Sequence, residues 1–472
     1  MHSKGYDKRV QYFDDLAKKR KSKKRKHQFY WNEISRYCDY FSHEDLSILE
    51  VGCGTGHLLN SLKGKRKVGI DYSTEMIQDA KAQHPNIEFQ VMSAEDLNIT
   101  DKFDLIVISN LIGYSDDVQL VFEQLLKVCH EKTKVIVTYY NYLWEPILWL
   151  GEVTGIKTKS FTQNWLTHQD INNLLYISGF DVYRTAKRTL LPIYLPLIST
   201  LFNKFLVHLP VIQSLSINIF SFAKPIFSHL PAKYSVSVIL PARNESGNIE
   251  NAILRLPQMG AATELIIIEG NSTDDTWTKI QEMQNKYRDR CSIKIAQQDG
   301  KGKSNAVRRG FEMATGDILM ILDADLTVPP EDLPKFYEAI ASGKADFANG
   351  SRLVYPMEKQ AMRFLNLLGN KFFSFAFTWL LEQKFKDTLC GTKALFRSEY
   401  RKLVKNRTYF GDFDPFGDFD LIFGAHKLNH KIVEIPIRYR ERTYGTTNIS
   451  RFKHGLILLR MCLFAARKIK FI

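Results

Sequence analysis

Apolar runs of strand length recur from about Leu46 onward, at residues 47–51, 67–70, 87–91, 103–108 and 134–138. The longer stretches between them have helical periodicity, so the pattern predicts a series of βαβ units and a parallel, doubly wound sheet. A second series at 236–240, 264–268, 292–296 and 317–322 predicts a second α/β domain opening near Tyr234.

Residues 189–233 read differently: apolar and aromatic, with Pro192, Pro196, Pro210, Pro225 and Pro231. No Lys, Arg, Asp or Glu occurs from 205 to 223, which raises a membrane span. His208, Pro210, Gln213, Ser214, Ser216 and Asn218 make the run polar and broken, which favours a linker lying on a membrane surface or packed on the second domain. In 364–381 the polar residues Asn366, Asn370, Ser374 and Thr378 recur every four positions, giving a helix with a narrow polar stripe and a wide apolar face. Near the end Lys453, Arg460 and Arg467 stand seven apart among leucines. Core helices or partner interfaces are the alternatives for these two, and their recurrence favours the membrane surface. The expected organisation is a basic tail (1–28), a first α/β domain (29–188), an apolar interfacial linker (189–233), a second α/β domain (234–448) and a basic amphipathic helix (449–472).

The 472 residues exceed one compact core, and the 44% apolar fraction is that of globular protein. The formal net charge of +14 calls for an anionic partner. Much of it lies in residues 18–26, which suit a solvated helix face or an anionic lipid surface; no nucleic-acid motif accompanies them, so no nucleic acid is expected. The six scattered cysteines include no CxxC pair and follow no signal peptide, which is cytosolic usage.

Two strand ends carry chemistry. After the first strand, Glu50-Val51-Gly52-Cys53-Gly54-Thr55-Gly56 puts three glycines in a tight turn before a helix, where bare backbone and a helix N-terminus suit a charged cofactor end. Asp71, ending the next strand, is placed for ribose hydroxyls. This half, about residues 29–185, resembles the class I S-adenosylmethionine-dependent methyltransferases, whose first strand ends in an acid before such a turn. The resemblance implies that Glu50, Gly52, Gly54, Gly56 and Asp71 hold S-adenosylmethionine, with Ser93 and Ala94 following the third strand at the adenine. Ser93 stands where that family often has Asp. Methyl transfer needs mainly a well-aimed acceptor, and the sequence names no catalytic residue for it.

In the second half three acidic turns follow successive strands: Pro241, Arg243 and Glu245; then Glu269 and Asp274; then Asp323-Ala324-Asp325. Two acids one residue apart at a strand end can share Mg²⁺ or Mn²⁺ with substrate phosphates. Residues 234–450 resemble the family 2 glycosyltransferases of GT-A fold, within them the dolichol- and polyprenyl-phosphate mannosyl- and glucosyltransferases. The resemblance implies a donor site on Pro241, Arg243, Glu245, Glu269, Asp274, Lys301 and Ala324, and a metal on Asp323 and Asp325. It also implies phosphate contacts from Arg352, Arg363 and Arg442. Glu269 and Gly270 depart from the acids usual there. Asp418 and Asp420 fall where many inverting relatives keep a catalytic base, or they orient acceptor or donor, since a phosphate acceptor is already anionic.

The expectation is an α/β chain of two doubly wound domains, a Rossmann-like methyltransferase fold and a GT-A fold. It would be a bifunctional enzyme, cytoplasmic and peripheral on the inner face of the cell membrane. Its partners would be a nucleotide-sugar donor, a polyprenyl-phosphate-type lipid and an anionic membrane surface. The rivals are a methyltransferase whose second half gathers lipid substrate, and a non-enzymatic membrane assembly factor.

Overall fold

The computed structural model describes residues 4–20, 28–154, 161, 163–227, 233–290, 292–352, 364–407, 419–437, 439, 440, 442, 444 and 451–471. The chain divides into two compact units, Met1–Phe227 with Lys470–Ile472, and Ser228–Ile469.

The first unit is built on β1 (Ser47–Val51), β2 (Arg66–Asp71), β3 (Glu88–Val91), β4 (Phe103–Ser109), β5 (Cys129–Tyr140), β6 (Phe180–Arg188) and β7 (Asn218–Pro225), in the order β3-β2-β1-β4-β5-β7-β6. β1 to β5 are mutually parallel, and β7 runs antiparallel to both β5 and β6. Leu49, Val51, Ile106 and Ile108 in the central strands are wholly buried with Phe122, Leu125 and Ile171 of the covering helices. Residues buried on both faces need no polar alternation, which is why β1 and β4 read as continuous apolar runs.

β7 corrects the expected linker. All its residues are buried, with Phe220 and Phe222 on one face and Ile219, Ser221 and Ala223 on the other. Phe220 packs on Tyr37 at 4.8 Å and Phe222 on Phe41 at 5.1 Å. The last part of the uncharged run, 218–223, lies inside a sheet, while Val211 ahead of it is 82% exposed. The first domain thus extends to Phe227, not to residue 188. The expected basic tail is corrected for residues 4–20, which form a helix carrying the buried Arg9 and Ala17.

The second unit is built on β8 (Val236–Ala242), β9 (Thr263–Glu269), β10 (Ser292–Gln297), β11 (Ile318–Ile321), β12 (Phe347–Ser351), β13 (Lys393–Phe396) and β14 (Ile432–Pro436), in the order β10-β9-β8-β11-β13-β12-β14. β8 to β11 are parallel, while β13 is antiparallel to β11 and β12. That reversal brings the start of β13 beside the end of β11.

In the Phe364–Leu381 helix Ser374 and Thr378 of the polar stripe turn inward: their hydroxyls both donate to the Phe385 carbonyl, at 2.6 and 3.0 Å. Phe372 and Phe375 are left 55% and 67% exposed. Among the described residues, no helix is long and apolar enough to cross a membrane.

Candidate functional site

The candidate residues of each unit gather at the carboxyl edge of its parallel strands. In the first, Gly52, Gly54 and Gly56 have φ of 76°, 51° and 75°. The turn therefore needs glycine on backbone grounds, and at Gly52 and Gly56 for space as well, where a Cβ would press on Leu111 and Phe89. Asp71 fixes it: its carboxylate accepts from the Gly54 N–H at 2.9 Å and the Ser73 N–H at 2.9 Å. Glu50 points inward, 2% exposed, and accepts from the Leu59 N–H at 3.0 Å. Burial pushes its carboxyl well above the usual range. Its place is thus beneath the turn, bracing the following helix. Ser93 follows β3 and accepts from the Glu95 N–H at 3.3 Å, while Ala94 is part of the apolar core.

The sequence did not mark what surrounds this turn. The Lys4–Arg20 helix reaches both its flanks: Arg9 donates to the Tyr114 carbonyl and to Asp116, and Asp14 accepts from Ser73. Phe13 packs edge-on against Tyr72 and Tyr114. Just past β4, Asn110 has φ of 52° and donates to the Tyr30 hydroxyl at 2.9 Å, which in turn donates to Asn218 of β7 at 2.6 Å. A small, open hollow lies beside Asn110, Tyr114, Tyr140 and Trp165. An Asn at a strand end was a readable signal for this place; Tyr30 and Asn218 were not, being 80 and 108 positions away from Asn110 along the chain.

In the second unit the strand ends gather their acids. Asp323 takes the Lys303 ammonium at 2.6 Å. Burial opposes its charge, but Lys303, Lys393 and Arg352 outweigh that and hold the carboxyl below its usual range. Gly391, at the start of β13, lies so close that a Cβ there would collide with both Asp323 and Lys303. Asp325 and Glu245 share Arg442, at 2.6 and 3.1 Å, so these two expected residues of different strands are brought together. Burial raises the Glu245 carboxyl, against the hydrogen bond from Asn248 and the charge of Arg442. Asp274 accepts from the Thr276 N–H at 3.1 Å.

Other expected residues have different places. Glu269 is 2% exposed and accepts from Ser272 and Gln297, so it braces its turn. Ala324 packs in the core, Pro241 is half-buried within β8, and Arg243 is exposed just beyond it. Lys301 is exposed ahead of the Gly302–Met313 helix, whereas Lys303, two residues on, reaches the acids. Arg352 is held bidentately by the fully buried Asp387, at 2.7 and 2.8 Å. Asp420, expected as a base or as an orienting residue, is paired with both Arg308 and Arg407, at 2.9 Å each. Asp418 and Arg363 lie outside the described residues.

The donor set at Asp323 and Asp325 is hard oxygen at one strand end, which fits Mg²⁺ or Mn²⁺ completed by phosphate oxygens. Among the described residues no group of three or more His, Cys, Asp or Glu is arranged to hold a metal by itself.

Residues 42–185 match the model of a methyltransferase domain family, and residues 237–404 that of glycosyl transferase family 2. A dolichol-phosphate mannosyltransferase of Pyrococcus furiosus is 43% identical over 122 residues, 25% of this chain and 33% of the relative. An undecaprenyl-phosphate 4-deoxy-4-formamido-L-arabinose transferase of Pectobacterium carotovorum is 24% identical over 225 residues, 46% of this chain and 64% of the relative. The chain thus spans from a third to just under two thirds of the length of these relatives. Among solved structures, a putative methyltransferase of Haloferax volcanii, in complex with its Trm112 activator, is 17% identical with a TM-score of 0.36, over 46% of this chain and 97% of the other.

Proposed function

Because this chain joins a methyltransferase domain to a family 2 glycosyltransferase domain, we propose that it transfers a sugar from a nucleotide sugar to a polyprenyl-phosphate-type lipid and, at its first site, a methyl group from S-adenosylmethionine. The observation that carries the first part is the acid edge at Glu245, Asp323 and Asp325, each carboxylate already matched by a cation from Lys303 or Arg442. A divalent ion on Asp323 and Asp325 would supply the positive charge that a departing nucleoside diphosphate needs. Lys303 and Arg442, released from the acids, are then in place to take phosphate oxygens. Arg352, locked on Asp387, orients the loop that ends at Gly391.

At the first site Asp71 and the glycine turn would hold the cofactor, with the N-terminal helix across it. A membrane-surface location is supported by apolar groups left in water. In the first unit these include Trp149, Leu197 and Val211, 63%, 86% and 82% exposed; in the second, Phe372, Phe375, Leu456 and Leu463. Exposed aromatic and aliphatic groups of this number suit insertion at a lipid interface.

The test is label transfer from radioactive nucleotide sugars into an organic-extractable lipid, with membranes present. Asp325→Ala should lower transfer at least on the order of 10²-fold and leave S-adenosylmethionine binding unchanged. Full activity of the variant in EDTA would reject the assignment.

A further inference from the structure

The pocket beside the glycine turn has a chemistry that selects its occupant. It borders the proposed cofactor cradle, because a Cβ at Gly52 would meet the Leu111 side chain at 3.0 Å and Leu111 adjoins Asn110. Its walls include the rings of Tyr114, Tyr140 and Trp165 and the carboxamides of Asn110, Gln163 and Asn164. Tyr140 lies 6.0 Å from Tyr30 in a stacked arrangement and 6.3 Å from Trp165. Among the described residues, no carboxylate, ammonium, guanidinium or imidazole lines it. Burial pushes the Tyr30 and Tyr114 phenols up, so these neighbours stay neutral as well.

We propose that this pocket receives the methyl acceptor through an uncharged amine nitrogen, so that the first domain is an N-methyltransferase. The inference rests on the reading of that domain as S-adenosylmethionine-dependent. An oxygen nucleophile loses a proton as it attacks and needs a base at hand; among the described lining residues there is none, the Glu152 carboxylate acting on Tyr114 from outside the lining. A neutral amine brings its own lone pair. The nitrogen forms a bond to the methyl carbon while the carbon–sulfur bond breaks, and the sulfonium becomes a neutral thioether. The positive charge passes to nitrogen, and the extra proton leaves to water. Throughout, one positive charge moves among ring faces, which favour a cation without fixing its protonation. A carboxylate there would hold the amine as ammonium, with no lone pair to give. The Asn110 carboxamide oxygen, reached by the Thr138 hydroxyl only at 3.5 Å, retains capacity to accept an amine N–H.

The experiment incubates the full chain with S-adenosyl-[methyl-¹⁴C]methionine and a total small-molecule and lipid extract of the cells that make it. Cofactor binding is measured separately by calorimetry. A labelled product retained on a cation exchanger below pH 7 is the expected result. A neutral labelled ether or ester overturns the proposal, as does the absence of labelled product when the cofactor binds. No cofactor binding would instead remove the methyltransferase reading beneath it. Asn110→Asp should lower transfer on the order of 10-fold or more, through the ammonium it stabilises, with cofactor affinity within about twofold. Unchanged transfer by that variant would mean the acceptor lies elsewhere.

Discussion

Two buried glutamates, one in each domain, titrate in opposite directions. Glu264 takes Lys294 at 2.7 Å and hydrogen bonds from Ser237 and Thr315. Burial alone would raise it, but these partners outweigh burial and depress its pKa to about 2. Its contribution is therefore complete above the ordinary carboxylate range and is lost as pH falls from about 4.5 toward 2. Glu50, raised by burial, behaves oppositely: the unfolded chain ionises first, so stability declines as pH rises above the ordinary range. Denaturation of Glu264→Gln and Glu50→Gln against pH should separate them. The first should lose on the order of 2 kcal/mol near pH 6 and roughly a quarter of that at pH 2.5; the second should lack the wild-type decline toward alkaline pH. At this scale the glycine turn and the Asp323–Asp325 pair were legible, because each is a contiguous motif at a strand end. Lys303 in place of Lys301 was not, because the phase of a helix against a sheet edge decides which of two nearby lysines arrives.

The Phe364–Leu381 helix separates two roles along one element. Phe377 is wholly buried, against Phe385, Phe419 and Phe423, while Phe372 and Phe375 meet solvent. Phe377→Ser should cost about 3 kcal/mol or more, through the lost ring and a buried hydroxyl. Phe372→Ser with Phe375→Ser should leave the unfolding midpoint nearly unchanged, yet lower transfer to a long-chain polyprenyl phosphate at least several-fold more than to a short soluble analogue. Equal losses on both acceptors would show that the exposed face does not serve the lipid. The narrow polar stripe was legible in the sequence, but its direction was not: Ser374 and Thr378 look like a solvent face until Phe385 turns its carbonyl toward them. Strands β12 and β13 were also hidden, since Asn349 and Lys393 are buried among hydrogen bonds that no apolar pattern announces.

At the level of the whole molecule, each domain has its own apolar core, one around Val51, Ile106 and Phe122 and one around Val238, Leu265 and Phe336. Heating should give two transitions, and saturating S-adenosylmethionine should raise only the one lost with a first-domain core substitution such as Phe122→Ala; a shift of both would contradict separate cores. Both parallel series were legible from strand spacing, and the antiparallel additions were not, because β7, uncharged up to Lys224 and buried on both faces, lacks the alternation that distinguishes a strand from an apolar connector. The position of β7 also bears on how the protein is made. β6 leaves the ribosome with no neighbour to pair with, since its sheet partner is β7, about thirty residues further on. Until Pro225 has emerged, the growing chain displays the open edge of β5, and any expression fragment ended at residue 188 would keep that edge open permanently.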